Sequence, residues 1–141
     1  MVSYHCENVK IPKINRRATT VWIKATAAEY GKKTGEIAYI FCNDDKILEV
    51  NRQYLQHDYF TDIITFDYSE KEMISGDIFI SLDTVKSNSE QFNTLYDNEL
   101  RRVMIHGILH LCGLKDKLPQ DEKMMREAEN RAILQHKNID Y

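Results

Sequence analysis

The chain has little of what interrupts or staples a fold: two prolines, five glycines and three cysteines among 141 residues. The prolines and glycines are scattered, no stretch is low in complexity and no period recurs, which excludes a flexible linker and a solenoid. Cys6, Cys42 and Cys112 form an odd set without paired spacing. The set suits reduced thiols of a reducing compartment better than a disulfide framework, and the three read as small buried hydrophobes. No apolar run approaches the length that spans a bilayer, and MVSYHCENVKIPK is polar where a signal peptide needs an apolar core. The expected location is the cytoplasm, with no membrane partner. Charge of one sign is not in large excess either: a net charge of -3 excludes a surface that is basic throughout. Local basic pairs remain at Arg16-Arg17, Lys32-Lys33, Arg101-Arg102 and Lys115/Lys117, each read first as a solvated face.

What is present is enough apolar material for one core, 43% of the residues, at the usual size of one domain, here taken as 1–141. Apolar residues recur at helical spacing over 14–30 and stop at Gly31. The run EIAYIFC at 36–42 is β-branched and aromatic and ends at the capping pair Asn43-Asp44, so it predicts a buried strand followed by a helix over 44–55. TDIITFDY at 61–68 and DIFIS at 77–81 read as neighbouring strands. Helical patterns then follow, weak over 82–92, strong over 95–112, and again over 119–135. The fold class predicted is α+β, a single domain with a small mixed sheet packed with helices.

The segment 100–112 is apolar around most of its circumference and so belongs in the interior, yet it carries His106 and His110. At i, i+4 the two imidazoles share a face, about 40° apart and one turn apart along the axis. Such a pair alone is a weak signal. Gly113 strengthens it, because a glycine there ends the helix in a left-handed conformation and turns Asp116 back toward the imidazoles. The spacing matches HExxHxxGxxH metalloproteases, with aspartate as third ligand. His106, His110 and Asp116 are thus the candidate ligands of a divalent ion, zinc by preference, with another divalent metal as the alternative. Zinc with an open fourth position lowers the pKa of bound water from about 16 to about 7, and hydrolysis is the reaction class that follows. The glutamate base of HExxH is replaced by Gly107, so the general base is not identified and peptide hydrolysis becomes the second choice.

HGILHLCG resembles the HGxLHLxGxDH signature of the YbeY family of bacterial endoribonucleases and rRNA maturation factors. VNRQY at Val50 to Tyr54, TDIITF at Thr61 to Phe66 and SGDIFIS at Ser75 to Ser81 agree with that family in order and spacing. The resemblance implies a zincin-like α+β domain, a zinc held by three side chains, and cleavage of single-stranded RNA in rRNA maturation and ribosome quality control. Its implied partners are ribosomal RNA and the small ribosomal subunit, with ribosomal proteins beside them. Asp116 stands where the family usually has its third histidine, and Leu55 where it often has an RNA-facing arginine.

His57, near Leu55, and Arg102, one turn before His106, are candidate substrate contacts; the bland readings are an exposed loop histidine and a surface ion pair. Asp62 and Asp77 are candidates for orienting ligands or substrate, against capping or turn roles. The acidic residues Asp121, Glu122, Glu127 and Glu129 read as a solvated helix face, with Met124 and Met125 packing inward. Two further readings stand beside the endoribonuclease: a metallopeptidase-like hydrolase, and a non-catalytic ribosome-assembly factor whose metal is structural, which requires a filled fourth position.

Overall fold

Two strands rich in β-branched and aromatic residues form the centre of the molecule, and the rest of the chain is arranged to cover them. The computed structural model describes residues 1–55 and 61–137. In order these form β1 (Val2–Cys6), α1 (Arg16–Glu29), β2 (Lys33–Cys42), α2 (Asp44–Val50) with a π-helical turn (Asn51–Leu55), β3 (Ile63–Asp67), β4 (Met73–Ser81), α3 (Leu82–Gln91), α4 (Tyr96–Leu111) and α5 (Pro119–His136). The sheet order is β1-β2-β4-β3, with β1 and β4 parallel to β2 and β3 antiparallel to β4. This is the expected α+β class with a mixed sheet.

Alternation assigns the two faces of the sheet. Ile37, Tyr39, Phe41, Ile74, Ile78 and Ile80 join Trp22, Met104, Ile105, Ile108, Met125 and Ala132 in the main core, while Ile64, Phe66 and Phe79 meet Ile47 and Val50 of α2 on the other face. The buried polar atoms of the main core serve as ties between layers. Tyr39 donates its hydroxyl proton to the Met104 carbonyl at 2.8 Å, fastening β2 to α4, and Trp22 Nε1 donates to the Ala132 carbonyl at 2.7 Å, fastening α1 to α5.

Three expectations need correction. β1 was not foreseen: its five residues alternate weakly and are only partly covered, so their strand character comes from the long-range pairing Val2↔Ile37 to Cys6↔Phe41 rather than from local pattern. Cys6 is exposed at the end of that edge strand, whereas Cys42 is buried and Cys112 half-buried. Met124 is exposed, because only Met125 of the pair falls on the inward stripe of α5 with Ala128 and Ala132.

At the end of α5, the buried His136 meets the Trp22 ring edge to face, with centroids 4.7 Å apart. Burial, with Arg101 nearby, pushes its pKa below the ordinary value. Below about pH 6.5 the unfolded chain binds a proton that the folded state refuses, so this group removes stability as pH falls. His136→Phe should therefore gain in melting temperature relative to the parent chain between about pH 7 and about pH 5. A difference that stays constant across that interval refutes the account.

Candidate metal centre

The apolar circumference that predicted a core helix also explains how α4 is held. Leu100, Val103, Met104, Ile105, Ile108 and Leu109 are buried around it, and Gly107 is buried against the sheet. A Cβ on Gly107 would lie 3.0 Å from Ile78 Cδ1 and 3.2 Å from Ile63 Cδ1. A side chain at the position of the HExxH glutamate would press on Ile78 and Ile63 of the sheet, which would have to give way.

The end of α4 is built by Gly113 at φ +105. Gly113 N–H donates to the His110 carbonyl at 2.9 Å and Leu114 N–H to the Leu109 carbonyl at 3.0 Å, the paired bonds of a Schellman motif. The same turn aims the Leu114 carbonyl at His110 Nδ1, 3.0 Å away, and returns Asp116 to the histidines. A carbonyl only accepts, so Nδ1 of His110 carries the proton. In the neutral ring, Nε2 is then left with its lone pair.

His106 reaches the same state by another route. Its Nδ1 lies 2.7 Å from Glu129 Oε2, and Glu129 Oε1 accepts from Arg102 Nη1 at 2.9 Å. Burial alone would raise the Glu129 pKa, but the hydrogen bonds and charges of His106 and Arg102 outweigh it and hold the carboxyl below its usual range. An ionised Glu129 accepts, so Nδ1 of His106 donates. Burial likewise disfavours the His106 imidazolium, yet Glu129, Asp116 and Asp62 together raise its pKa.

With both rings neutral, the outcome is three acceptor atoms facing one another. His106 Nε2 and His110 Nε2 stand 3.3 and 3.2 Å from the same oxygen, Asp116 Oδ2, and the three groups offer ligand atoms all within 4.8 Å of one another. Converging lone pairs repel unless a proton, which the raised pKa of His106 favours, or a metal cation lies between them. Two imidazoles and a carboxylate, with the remaining ring nitrogens held by a carboxylate and a backbone carbonyl, fit a divalent metal and its supporting shell. Cys112, at the cap of α4, belongs to a different chemistry: burial pushes its thiol up to about 11, so it stays protonated.

The centre opens into a cavity of about 550 Å³ between β3, α3, α4 and α5. Arg102 lines it, and also makes the ion pair of its bland reading, to Glu129, with a second bond to Asn130 at 3.0 Å. Asp62 lines it as well; burial raises its pKa, opposed by the charge of His106. Asp77 is outside it and accepts a hydrogen bond from the Tyr68 hydroxyl at 3.3 Å. His57 lies outside the described residues. Leu55 is exposed at the end of the π-helical turn and does not line the cavity.

Glu129 corrects the reading of α5 as an acidic solvated face: it is 5% exposed. Composition hid it among acidic neighbours, but its register with Met125 and Ala132 on the buried stripe was a usable signal. Arg126, exposed at the cavity wall without a hydrogen bond or ion pair to any described residue, and Glu99, raised by burial, were also missed.

Gly113→Ala isolates the role of the turn. Nothing lies within 4 Å of the added Cβ, so the cost is the left-handed backbone alone, about 1–2 kcal/mol. Urea denaturation of the metal-free protein should show that loss, and zinc titration a weaker site. Unchanged stability would mean that the turn tolerates an L side chain.

Comparison with known proteins agrees with this geometry. Residues 2–137 match the family described as Endoribonuclease YbeY. A Phocaeicola vulgatus protein of that name is 68% identical over 133 residues, 94% of this chain and 96% of its own length. One from Bacteroides thetaiotaomicron is 65% identical over 132 residues, again 94% and 96% of the two chains. The solution structure of TM1509 from Thermotoga maritima, 25% identical, superposes with a TM-score of 0.68 over 96% of this chain and 89% of that one. By sequence along nearly its whole length and by fold, the chain belongs to the YbeY family of endoribonucleases.

Proposed function

We propose that this chain is a zinc-dependent endoribonuclease of the cytoplasm that cuts single-stranded RNA during rRNA maturation, with His106, His110 and Asp116 as the zinc ligands. The observation that carries the reading is the convergence of both Nε2 atoms on Asp116 Oδ2 at the floor of an open cavity. A divalent ion held there by His106, His110 and Asp116 would supply Lewis-acid polarisation of a phosphodiester and acidify a water. Glu129 and the Leu114 carbonyl fix the two rings, and Arg102 holds Glu129 ionised.

Asp62 is the group suited to take the proton from the attacking water, since burial brings its pKa toward the working range and it shares the cavity with His106. It supplies from β3 what the missing helix glutamate supplies elsewhere. The proposed setting is the cytoplasm, beside the small ribosomal subunit; no described helix is long and apolar enough to cross a membrane. The ligand group has three donors among the described residues and faces open space, which favours a catalytic over a structural metal.

The test is metal analysis of the purified protein followed by cleavage of unstructured RNA, with Asp62→Asn beside the parent. About one zinc per chain, and a fall in kcat of about 100-fold or more in the variant, are expected. Iron in place of zinc would move the site to the two-histidine, one-carboxylate chemistry of oxygenases. Cleavage of unstructured peptide but not RNA would establish the peptidase reading.

A further inference from the structure

The cavity beside the metal centre is a poor receptor for a polyanion. Asp62, Asp67, Glu99, Asp116 and Glu129 line it against Arg102 and Arg126, and Arg102 is already engaged by Glu129 and Asn130. A divalent ion offsets only part of that excess. If RNA binds here, a substantial share of the affinity has to come from something other than phosphate contacts.

One wall offers it. Phe92 lines the cavity and is 61% exposed. A single exposed apolar side chain needs no explanation by itself. This one, however, is fixed at the C-cap of α3 by a second Schellman motif: Asn93 adopts φ +54, its N–H donates to the Glu90 carbonyl at 3.3 Å, and Thr94 N–H donates to the Ser89 carbonyl at 2.9 Å. Phe92 N–H itself bonds the Asn88 carbonyl at 2.9 Å. Asn88, one turn earlier on the same face, lines the same cavity half-buried, and its side-chain amide makes no hydrogen bond to a described residue. An exposed aromatic ring on a firmly capped backbone, beside an uncommitted amide and next to a candidate metal centre, matches the way unpaired bases are recognised, by stacking and by hydrogen bonds to their edges.

Resting on the endoribonuclease reading, we infer that the C-terminal end of α3 is a nucleobase subsite: an unpaired base of the RNA strand next to the scissile phosphate stacks on Phe92, with its edge on the Asn88 amide. Stacking carries affinity and sequence tolerance; Asn88 carries whatever base preference the subsite has. Double-stranded RNA, whose bases are already stacked, gains nothing from it.

The zinc-loaded protein is titrated into a labelled, unstructured RNA oligonucleotide, and anisotropy is read before turnover; cleavage is then followed in the same samples. Phe92→Ala should weaken binding about tenfold, while Phe92→Trp stays near the parent. Walking a single abasic nucleotide along the strand should reveal one position at which the parent, but not Phe92→Ala, loses a similar factor. Zinc content and melting temperature of both variants should match the parent, since the ring is exposed. Equal affinity of Phe92→Ala and the parent, the same abasic profile in both, or no binding of RNA by the parent overturns the subsite. Failure of the underlying reading looks different: RNA binds as described, but cleavage by the parent does not exceed that of His106→Ala.

Discussion

His106→Ala should leave a folded protein that no longer answers to zinc and cleaves RNA only at background. Both histidine side chains border an open cavity and are partly exposed, 19% for His106 and 30% for His110, so truncation opens no sealed void in the core. Glu129 keeps Arg102 as its partner when His106 is removed. The metal-free variant loses the bond to Glu129 Oε2 and should melt below the metal-free parent, by the equivalent of about 1–3 kcal/mol, while staying folded. The ligand group, by contrast, falls from three donors to two, a larger loss than the about 10–100-fold that follows from disturbing a supporting residue. In the parent, zinc at about 100 times its Kd adds about 2.7 kcal/mol of stability. That rise in melting temperature should be absent from His106→Ala and from His110→Ala. A variant that binds zinc as tightly as the parent would show that the ion sits elsewhere, and the hydrolytic reading would fall with it.

Much of this site is legible in the sequence. Helical periodicity placed both histidines on one face, and Gly113 announced the turn that returns Asp116, because these relations are local: they depend on residues within one helix and the bend after it. The parts that were missed are set by distant pairing. β1 exists because β2 offers it an edge, and nothing within Val2–Cys6 states that. Glu129 orients His106 across 23 residues, and an acidic residue in an acidic helix gives no sign of which carboxylate faces inward unless its register is compared with that of the buried Met125 and Ala132. Asp62 and Asp77 looked alike as acids of neighbouring strands. The antiparallel pairing of β3 with β4 separates them, leaving Asp62 at the cavity and Asp77 with Tyr68.

Glu129 should be nearly as consequential as a ligand, for reasons that separate charge from shape. Its two oxygens each accept one bond, Oε1 from Arg102 and Oε2 from His106. Glutamine has the same outline but a single accepting oxygen, so in Glu129→Gln an NH₂ group must face either the guanidinium or the imidazole N–H. Either orientation releases His106 from its fixed tautomer or withdraws the support of Arg102, and zinc affinity should drop about 10–100-fold in a protein that remains folded. Glu129→Ala removes both acceptors. Because Glu129 is buried and Arg102 is only 24% exposed, breaking the pair should cost about 3 kcal/mol in the metal-free state, the lower end for a buried ion pair. In a double-mutant cycle with Arg102→Ala, the variants should be strongly non-additive in stability. Zinc affinity should instead follow Glu129 more closely than Arg102, since only the carboxylate touches the ligand. A Glu129→Gln protein that holds zinc as tightly as the parent would reduce this carboxylate to a structural ion pair and leave His106 oriented by its helix alone.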